Sequence, residues 1–526
     1  MKRVGIFGWG LVAPKSPTIE AFAANLGSAE SWLSAFDGFG PSTFLVGDPA
    51  LDFSIYRPWI DARFLPNRYP QLVDKMDPTA LLAIAAFIQA LGQNVGLEQE
   101  LQSLGTAAHV YVGTGLGALP TISRAAVALD RAQRRWNRFW CDSSRNSALR
   151  HFLEGRGLDP EVGGEIPPHP DTAIDDREAR EELEDQWQAF WASRSDGLAA
   201  YLAELRDIEG QSVEGEVEAA KLGVIKLKRR LRAKLQAKWG APEPPWTQVS
   251  ADLLWNIPNI PAAQITMLGK ITGPSFAPVA ACSTFGVSLS LGLDAIREGR
   301  AKAVVVGSAD PPPHPLTVGG FYNARVLAAD GTVSKPLTGL RGTHVAGGSV
   351  VWILGDYDHF TALGMKPLGL EPVAVGLSSD ADHIITPSKE GPTTAMESAL
   401  ARAHVAAADV ATWDLHATAT PGDYLEVENL RDLLPEHVVV TARKGTFGHG
   451  MSAAGGWELT AQYLGLEQGT LHPTPLRADE LNPEIARVHQ RFVFDGQCPM
   501  ASGQVAGKLS MGIGGINACV ISRRWS

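Results

Sequence analysis

The residues 277–286, Ala277-Pro278-Val279-Ala280-Ala281-Cys282-Ser283-Thr284-Phe285-Gly286, carry a short apolar run into small residues, a cysteine and the start of an amphipathic helix. A thiol at a helix N-terminus faces unpaired N–H groups and the positive end of the helix dipole, and both favour the thiolate. Taken alone, Cys282 has two readings: a nucleophile, or a buried and inert cysteine at a tight turn. A second stretch, Asp414-Leu415-His416-Ala417-Thr418-Ala419-Thr420-Pro421-Gly422-Asp423, places His416 after an apolar segment, with hydroxyls two and four positions on. An extended backbone would put His416, Thr418 and Thr420 on one face. In a third stretch, 444–456, glycines and alanines would let a buried helix approach other backbone closely, with Lys444 and His449 at its entrance. Two histidines in glycine-punctuated settings, together with a cysteine, point to nucleophilic chemistry.

Positioning such groups takes buried strands and helices. Glycine-bounded apolar runs at 4–7, 110–112, 303–306, 350–353 and 438–440 read as buried strands, and 78–91 and 288–297 carry helical patterns between them. That alternation predicts an α/β protein whose sheets are covered on both faces. No fixed-period repeat is visible. The stretch 122–246 differs: it is rich in Arg, Glu, Asp and Trp and poor in strand formers. Leu183, Trp187, Phe190 and Trp191 recur at helical spacing, as do Leu227, Leu231 and Leu235. Acidic residues (Asp175, Asp176, Glu178, Glu181, Glu182, Glu184, Asp185) precede a basic helix (Lys221, Lys226, Lys228, Arg229, Arg230, Arg232, Lys234, Lys238). This is a mostly helical insertion. Its basic helix is either a solvated face opposite a leucine stripe, with the acidic helix as an optional partner, or a docking surface for an acidic partner protein.

The composition narrows the function. The 526 residues could hold three or four units at roughly 150 residues each. Lys+Arg 46 against Asp+Glu 57 gives a formal charge of −11, which repels phosphate backbones and argues against nucleic-acid binding. No uninterrupted apolar stretch is long enough to cross a bilayer. A basic pair and a short apolar run open the chain, but Trp9, Gly10 and Pro14 interrupt them. The expectation there is a first strand ending in a glycine turn, not a leader. Four dispersed cysteines without a Cys-x-x-Cys pair predict a reduced, cytoplasmic protein with no metal.

At this point the sequence resembles a known family. Cys282 in its Ala-Ala-Cys-Ser-Thr context, the runs 416–423 and 444–456, and the terminal Met511-Gly512-Ile513-Gly514-Gly515-Ile516-Asn517-Ala518 are similar to the motif set of β-ketoacyl-acyl-carrier-protein synthases. The related family forms are HGTGTPLGD, a lysine followed by GHT-type sequence, and FGFGGTNA. The run from Ser378 to Pro387 adds a fifth match in the proper chain order. The resemblance covers nearly everything except the insertion. It implies an α/β, thiolase-like α-β-α-β-α five-layer fold of two similar halves, 1–355 and 356–526, with the helical insertion 122–246 in the first, and a homodimer.

The function implied is that of an acyltransferase, a 3-oxoacyl-[acyl-carrier-protein] synthase of fatty acid or polyketide biosynthesis. It would perform decarboxylative Claisen condensation of an enzyme-bound acyl thioester with malonyl carrier. Carried over by motif, Cys282 is the nucleophile, His416 and His449 face the malonyl thioester, and Lys444 orients the site electrostatically. The backbone N–H groups of Cys282 and Ile513 form the oxyanion hole, Thr418 and Thr420 bind the phosphopantetheine arm, and Asp380 supports the network. No cofactor is bound; phosphopantetheine arrives on the acyl carrier protein. The alternatives are a priming ketosynthase using a short acyl-CoA and a non-catalytic partner like a chain-length factor.

Three departures stand out. The family's acidic-glycine motif corresponds to 341–349, which holds no carboxylate, so Lys444 is expected in an altered field. Ile513 and Met511 replace aromatic gate residues. Ala417 and Ala419 replace glycines, predicting backbones that avoid positive φ.

Overall fold

A computed structural model of the chain describes residues 2–40, 43–156, 164–173, 176–212, 217–496, 498–499 and 503–525, without the side chains of 217–221. Two units emerge, Met1–Pro120 with Leu254–Ser526, and Thr121–Leu253.

In the larger unit, two five-stranded sheets share one topology. The first runs Ser275–Phe276, Ala108–Gly113, Ala303–Asp310, Gly348–Asp356, Val4–Val12. The second runs Val439–Thr441, Val410–Asp414, Val505–Gly512, Ile516–Arg523, Glu371–Ser379. Numbered within each sheet along the chain, both follow the order third, second, fourth, fifth, first. In both, the first two neighbour pairs are parallel and the last two antiparallel. The two halves are therefore copies in topology, although no repeat shows in the residues.

Side-chain alternation explains why the strands read as continuous apolar runs. From Gly348–Asp356, Val350, Trp352 and Leu354 enter the central core, while Val351 and Ile353 enter an outer one. With both faces buried, neither can be polar. Pro78–Leu91 and Ile260–Gly269 supply the outer layer on the first sheet. Thr284–Arg297 and Ala454–Glu467 fill the centre, and Glu390–Ala403 and Gly422–Leu433 cover the second sheet. This is the five-layer fold that the resemblance implies. The central helices approach the sheets closely because of their small residues: a Cβ on Gly456 would lie 2.4 Å from a Val350 methyl.

The N-terminal strand corrects one expectation. It does not stop at a glycine turn but continues to Val12. A Cβ on Gly8 or Gly10 would fall 2.3 Å or 2.1 Å from carbonyl oxygens of Pro78–Leu91, so these glycines serve helix contact.

The second unit is helical: Ser147–Leu153, Arg177–Ala192, Asp196–Glu209 and Val217–Trp239 accompany most of Leu119–Trp140. Trp136, Trp140, Tyr201, Leu205 and Leu235 form one core; Leu149, Trp187 and Trp191 form another. Among the described residues, no ion pair joins the basic helix to the acidic one. Lys228 and Arg232 reach Glu209, and Lys238 reaches Glu204, while Asp185 of the acidic helix meets Arg134. Asp175 and the side chain of Lys221 lie outside the described residues. Among the described residues, no helix is long and apolar enough to cross a membrane.

Candidate active site

Cys282 sits in the turn Ala281–Ser283, just ahead of the central helix Thr284–Arg297. Ala281 has φ +48°, a left-handed conformation that costs an L-residue about 1–2 kcal/mol. The surroundings hold it there. The Thr284 hydroxyl donates to Ala281 O at 2.7 Å and accepts from Ala280 N at 2.9 Å. Ser283 Oγ donates to Ile516 O at 2.8 Å and Ser510 O at 3.1 Å, tying the turn to the last two strands.

His416 follows the end of Val410–Asp414, and His449 lies between Lys444–Phe447 and Met451–Ala453. The structure brings both to the cysteine. Sγ of Cys282 and a ring nitrogen of each histidine lie within 4.8 Å of one another, and the imidazoles stand 5.4 Å apart at 83°. His449 Nδ1 accepts the Met451 N–H at 3.2 Å, and His416 Nδ1 faces the Lys444 ammonium at 3.4 Å. Both Nδ1 atoms therefore act as acceptors, which leaves the ring proton on Nε2. Burial and the nearby Lys444 and Lys508 ammonium groups hold both rings well below the usual histidine range. They are neutral N–H donors.

Lys444 Nζ also donates to His416 O and pairs with Glu458 Oε1 at 2.7 Å, with both side chains buried. This overturns the expectation of a missing carboxylate: 341–349 has none, but Glu458 of the central helix supplies one. Burial likewise overturns the expected low thiol pKa. It pushes Cys282 up to about 11, against the opposing pull of Lys444 and of hydrogen bonds from the backbone N–H groups of Ile513 and Cys282. Among the described residues, Cys282, His416 and His449 form the group close enough to chelate an ion. A protonated thiol and two Nε2–H groups are poor ligands, since binding requires deprotonated donors.

A pocket opens over these groups and is lined also by Thr418, Thr420, Asp380 and Ile513. The two threonine hydroxyls meet at 2.9 Å. Their shared face arises from a turn, not an extended strand. Ala419 has φ +59°, contrary to the expectation drawn from its methyl group, because Asp423 accepts the N–H groups of Thr418 at 2.8 Å and Ala419 at 3.1 Å. Asp380 links two loops: Asn517 donates to it at 2.6 Å, Ser388 N at 2.9 Å, and its own N–H goes to Gly515 O at 2.8 Å.

Sequence reasoning missed several buried charges. Glu426 accepts the N–H groups of His416 at 2.6 Å and Ala417 at 2.8 Å, and burial pushes it up to about 7. Asp310 accepts from Gly115, Leu116 and Ser452 N–H groups beside the cysteine turn. Lys508 lies buried in Val505–Gly512. The available signal was a lone charge inside an apolar or small-residue run, as for Glu458 and Lys508.

Two stretches of the chain match domains of known proteins. Residues 228–358 match the N-terminal domain of β-ketoacyl synthase and 371–476 its C-terminal domain. The chain is 30% identical over 287 residues to 3-oxoacyl-[acyl-carrier-protein] synthase 2 of Rhizobium meliloti (strain 1021), covering 51% of this chain and 65% of that protein. It is 31% identical over 223 residues to Nodulation protein E of Rhizobium meliloti, covering 41% of this chain and 55% of that protein. The alignments thus span between about half and two thirds of those relatives. A solved β-ketoacyl synthase from Burkholderia phymatum superposes over 100% of both chains, with a TM-score of 0.67 and 17% identity. Residues 228–358 and 371–476 thus match the two β-ketoacyl synthase domains in order, on a duplicated five-layer fold.

Proposed function

We propose that this chain is a β-ketoacyl-acyl-carrier-protein synthase performing decarboxylative Claisen condensation, and that Cys282, His416, His449 and Lys444 are its catalytic residues. The observation that carries this is the convergence of one thiol and two neutral Nε2–H donors in a single buried pocket. In the first half-reaction Sγ attacks the acyl thioester carbonyl. A new C–S bond forms, the carrier thiolate leaves, and it takes up the proton lost by Cys282. The N–H groups of Ile513 and Cys282, already directed at the sulfur region, receive the oxyanion.

In the second half-reaction the malonyl thioester loses CO2, and the electron pair of the broken C–C bond passes to the thioester as an enolate. That charge needs preorganised donors in a water-poor site, and the two Nε2–H groups supply them. The enolate carbon then attacks the acyl-Cys282 carbonyl, and Sγ leaves as the thiolate. Thr418 and Thr420 line the approach and suit the amide-bearing phosphopantetheine arm, which brings both acyl groups on the carrier. Asp380 supports the glycine loop that carries Ile513. The family resemblance favours a homodimer with acyl carrier protein as its partner. A non-catalytic subunit would have no need to hold these three groups together.

The test supplies acyl carrier and malonyl carrier and follows CO2, β-ketoacyl product and covalent adducts by mass spectrometry. Wild type should acylate at Cys282 and form product. Cys282→Ala should lose both yet keep releasing CO2 from malonyl carrier, and His416→Ala or His449→Ala should lose that release. Condensation surviving in Cys282→Ala would overturn the reading; acylation by a short acyl-CoA alone would assign the priming role.

A further inference from the structure

Lys508 is an unusual residue to find in the middle of a core strand. It is 1% exposed. Its ammonium donates to Leu415 O at 3.2 Å and to Leu509 O, and it lies 2.8 Å from Glu458 Oε2 and 3.7 Å from Asp414 Oδ1. The other Glu458 oxygen holds Lys444 at 2.7 Å. One carboxylate thus bridges two ammonium groups, one of which touches His416.

The charges do not balance without a further carboxylate. Arg443, Lys444 and Lys508 face Asp414 and Glu458, with Arg443 3.0 Å from Asp414. Arg443 and Lys444 already match the two carboxylates one for one. Burying a third cation without a carboxylate of its own is costly. Glu426 is the remaining neighbour, and with burial pushing it up to about 7 it is only partly ionised at neutral pH. The cluster therefore holds excess positive charge behind the imidazoles.

The backbone around His416 is gripped from all sides. Leu415 O takes Lys508, His416 O takes Lys444, and the N–H groups of His416 and Ala417 go to Glu426. We propose that Lys508 is a positioning residue for the condensation: it fixes the His416 segment through Leu415 O and Glu458, and its charge biases the pocket toward anions. The inference rests on the reading of the two rings as donors to an enolate. Lys508 is among the charges that hold both rings below the usual histidine range.

The test is Lys508→Met, which keeps the stem and removes the charge. Imidazole titrations of His416 and His449 are read by NMR on labelled, substrate-free protein, where Asp414, Glu426, Arg443, Lys444 and Glu458 also face the cluster. Both ring titrations should move up. Malonyl-carrier decarboxylation should fall roughly ten- to a hundredfold in kcat with little change in KM, the scale of one unit charge at short range in an intermediate dielectric. Lys508→Arg should recover part of the rate. Lys508→Met with Asp414→Asn, which restores the net charge, should bring the ring titrations back and remains informative where the single variant fails to fold. Unmoved titrations in Lys508→Met, or in Lys508→Arg an activity loss equal to that of Lys508→Met, would overturn the proposal. Because the titrations need no substrate, they stand apart from the proposed reaction; wild type failing to decarboxylate malonyl carrier would count against that reading alone.

Discussion

Replacing Gly515 with alanine should disable one half-reaction and spare the other. Residues 513–515 join the strands Val505–Gly512 and Ile516–Arg523, with Gly515 N donating to Gly512 O at 3.0 Å. Gly515 has φ +71°, which costs alanine about 1–2 kcal/mol. Its new Cβ would also lie 2.8 Å from Asp380 Cβ and 3.2 Å from Asp380 Cγ. Asp380 cannot withdraw, because Asn517 and Ser388 hold its two oxygens and its N–H binds Gly515 O. Carbon atoms settle at about 3.5–4.0 Å, so the loop must give way by about 1 Å. That shift carries the Ile513 N–H out of hydrogen-bond range of the oxyanion. Loss of one such donor typically costs about 10²–10³ in rate. Single-turnover acylation of Cys282, read by intact-protein mass spectrometry, should slow by about that factor. Malonyl decarboxylation, assigned to His416 and His449 in the proposed mechanism, should stay near wild type. Acylation at the wild-type rate, or an equal loss of both activities, would refute the reasoning.

Two pH experiments follow from burial. With the Cys282 thiol pushed up to about 11 and both rings presenting N–H rather than a lone pair, the resting site has no base for the sulfur. Iodoacetamide labelling of the Cys282 peptide should therefore climb about tenfold per pH unit from 7 to 9; a plateau within that window would contradict it. Glu426, raised from 4.5 to about 7, makes stability fall as pH rises between those values. The unfolded chain has lost its proton there while the folded one keeps it, a difference of about 3 kcal/mol. Glu426→Gln should flatten that part of the urea-unfolding difference between pH 5 and pH 8, and an unchanged slope would exclude the assignment.

What the residues disclosed in advance is the part of the site that breaks local rules. Cys282, His416 and His449 interrupt apolar or glycine-rich runs, so they stand out at short range. The same holds for the strands seen as apolar runs, whose two faces are both buried. The strand Val505–Gly512 is harder to see because it carries Lys508 and Ser510, and Ile516–Arg523 because it carries Asn517 and Ser522; Lys508, Asn517 and Ser522 each have partners far along the chain. Glu458 is a lone carboxylate in a small-residue helix, and its partners Lys444 and Lys508 lie on other elements. The left-handed turn at Ala419 was unreadable for the same reason: Asp423 stabilises it by accepting N–H groups, and no rule about alanine alone contains that contact.

The duplicated topology explains why the reactive groups meet. In each copy a short third strand leads to a one-turn 3-10 segment, then a central helix, then the fourth strand. In the first copy that turn is Ala281–Ser283, opening with φ +48°; in the second it is Met451–Ala453, opening with φ +49°. Cys282 and Ser452 therefore occupy equivalent positions. The copies then divide their work. Ser452 is buried and structural: its N–H binds Asp310 and its carbonyl accepts Ser308, fixing one turn against the other copy's sheet. The equivalent sulfur is left facing the cavity. His449, just before the second turn, is held by the Met451 N–H at the residue whose left-handed conformation mirrors Ala281. One shared backbone feature thus orients the Cys282 thiol in one half and the His449 imidazole in the other.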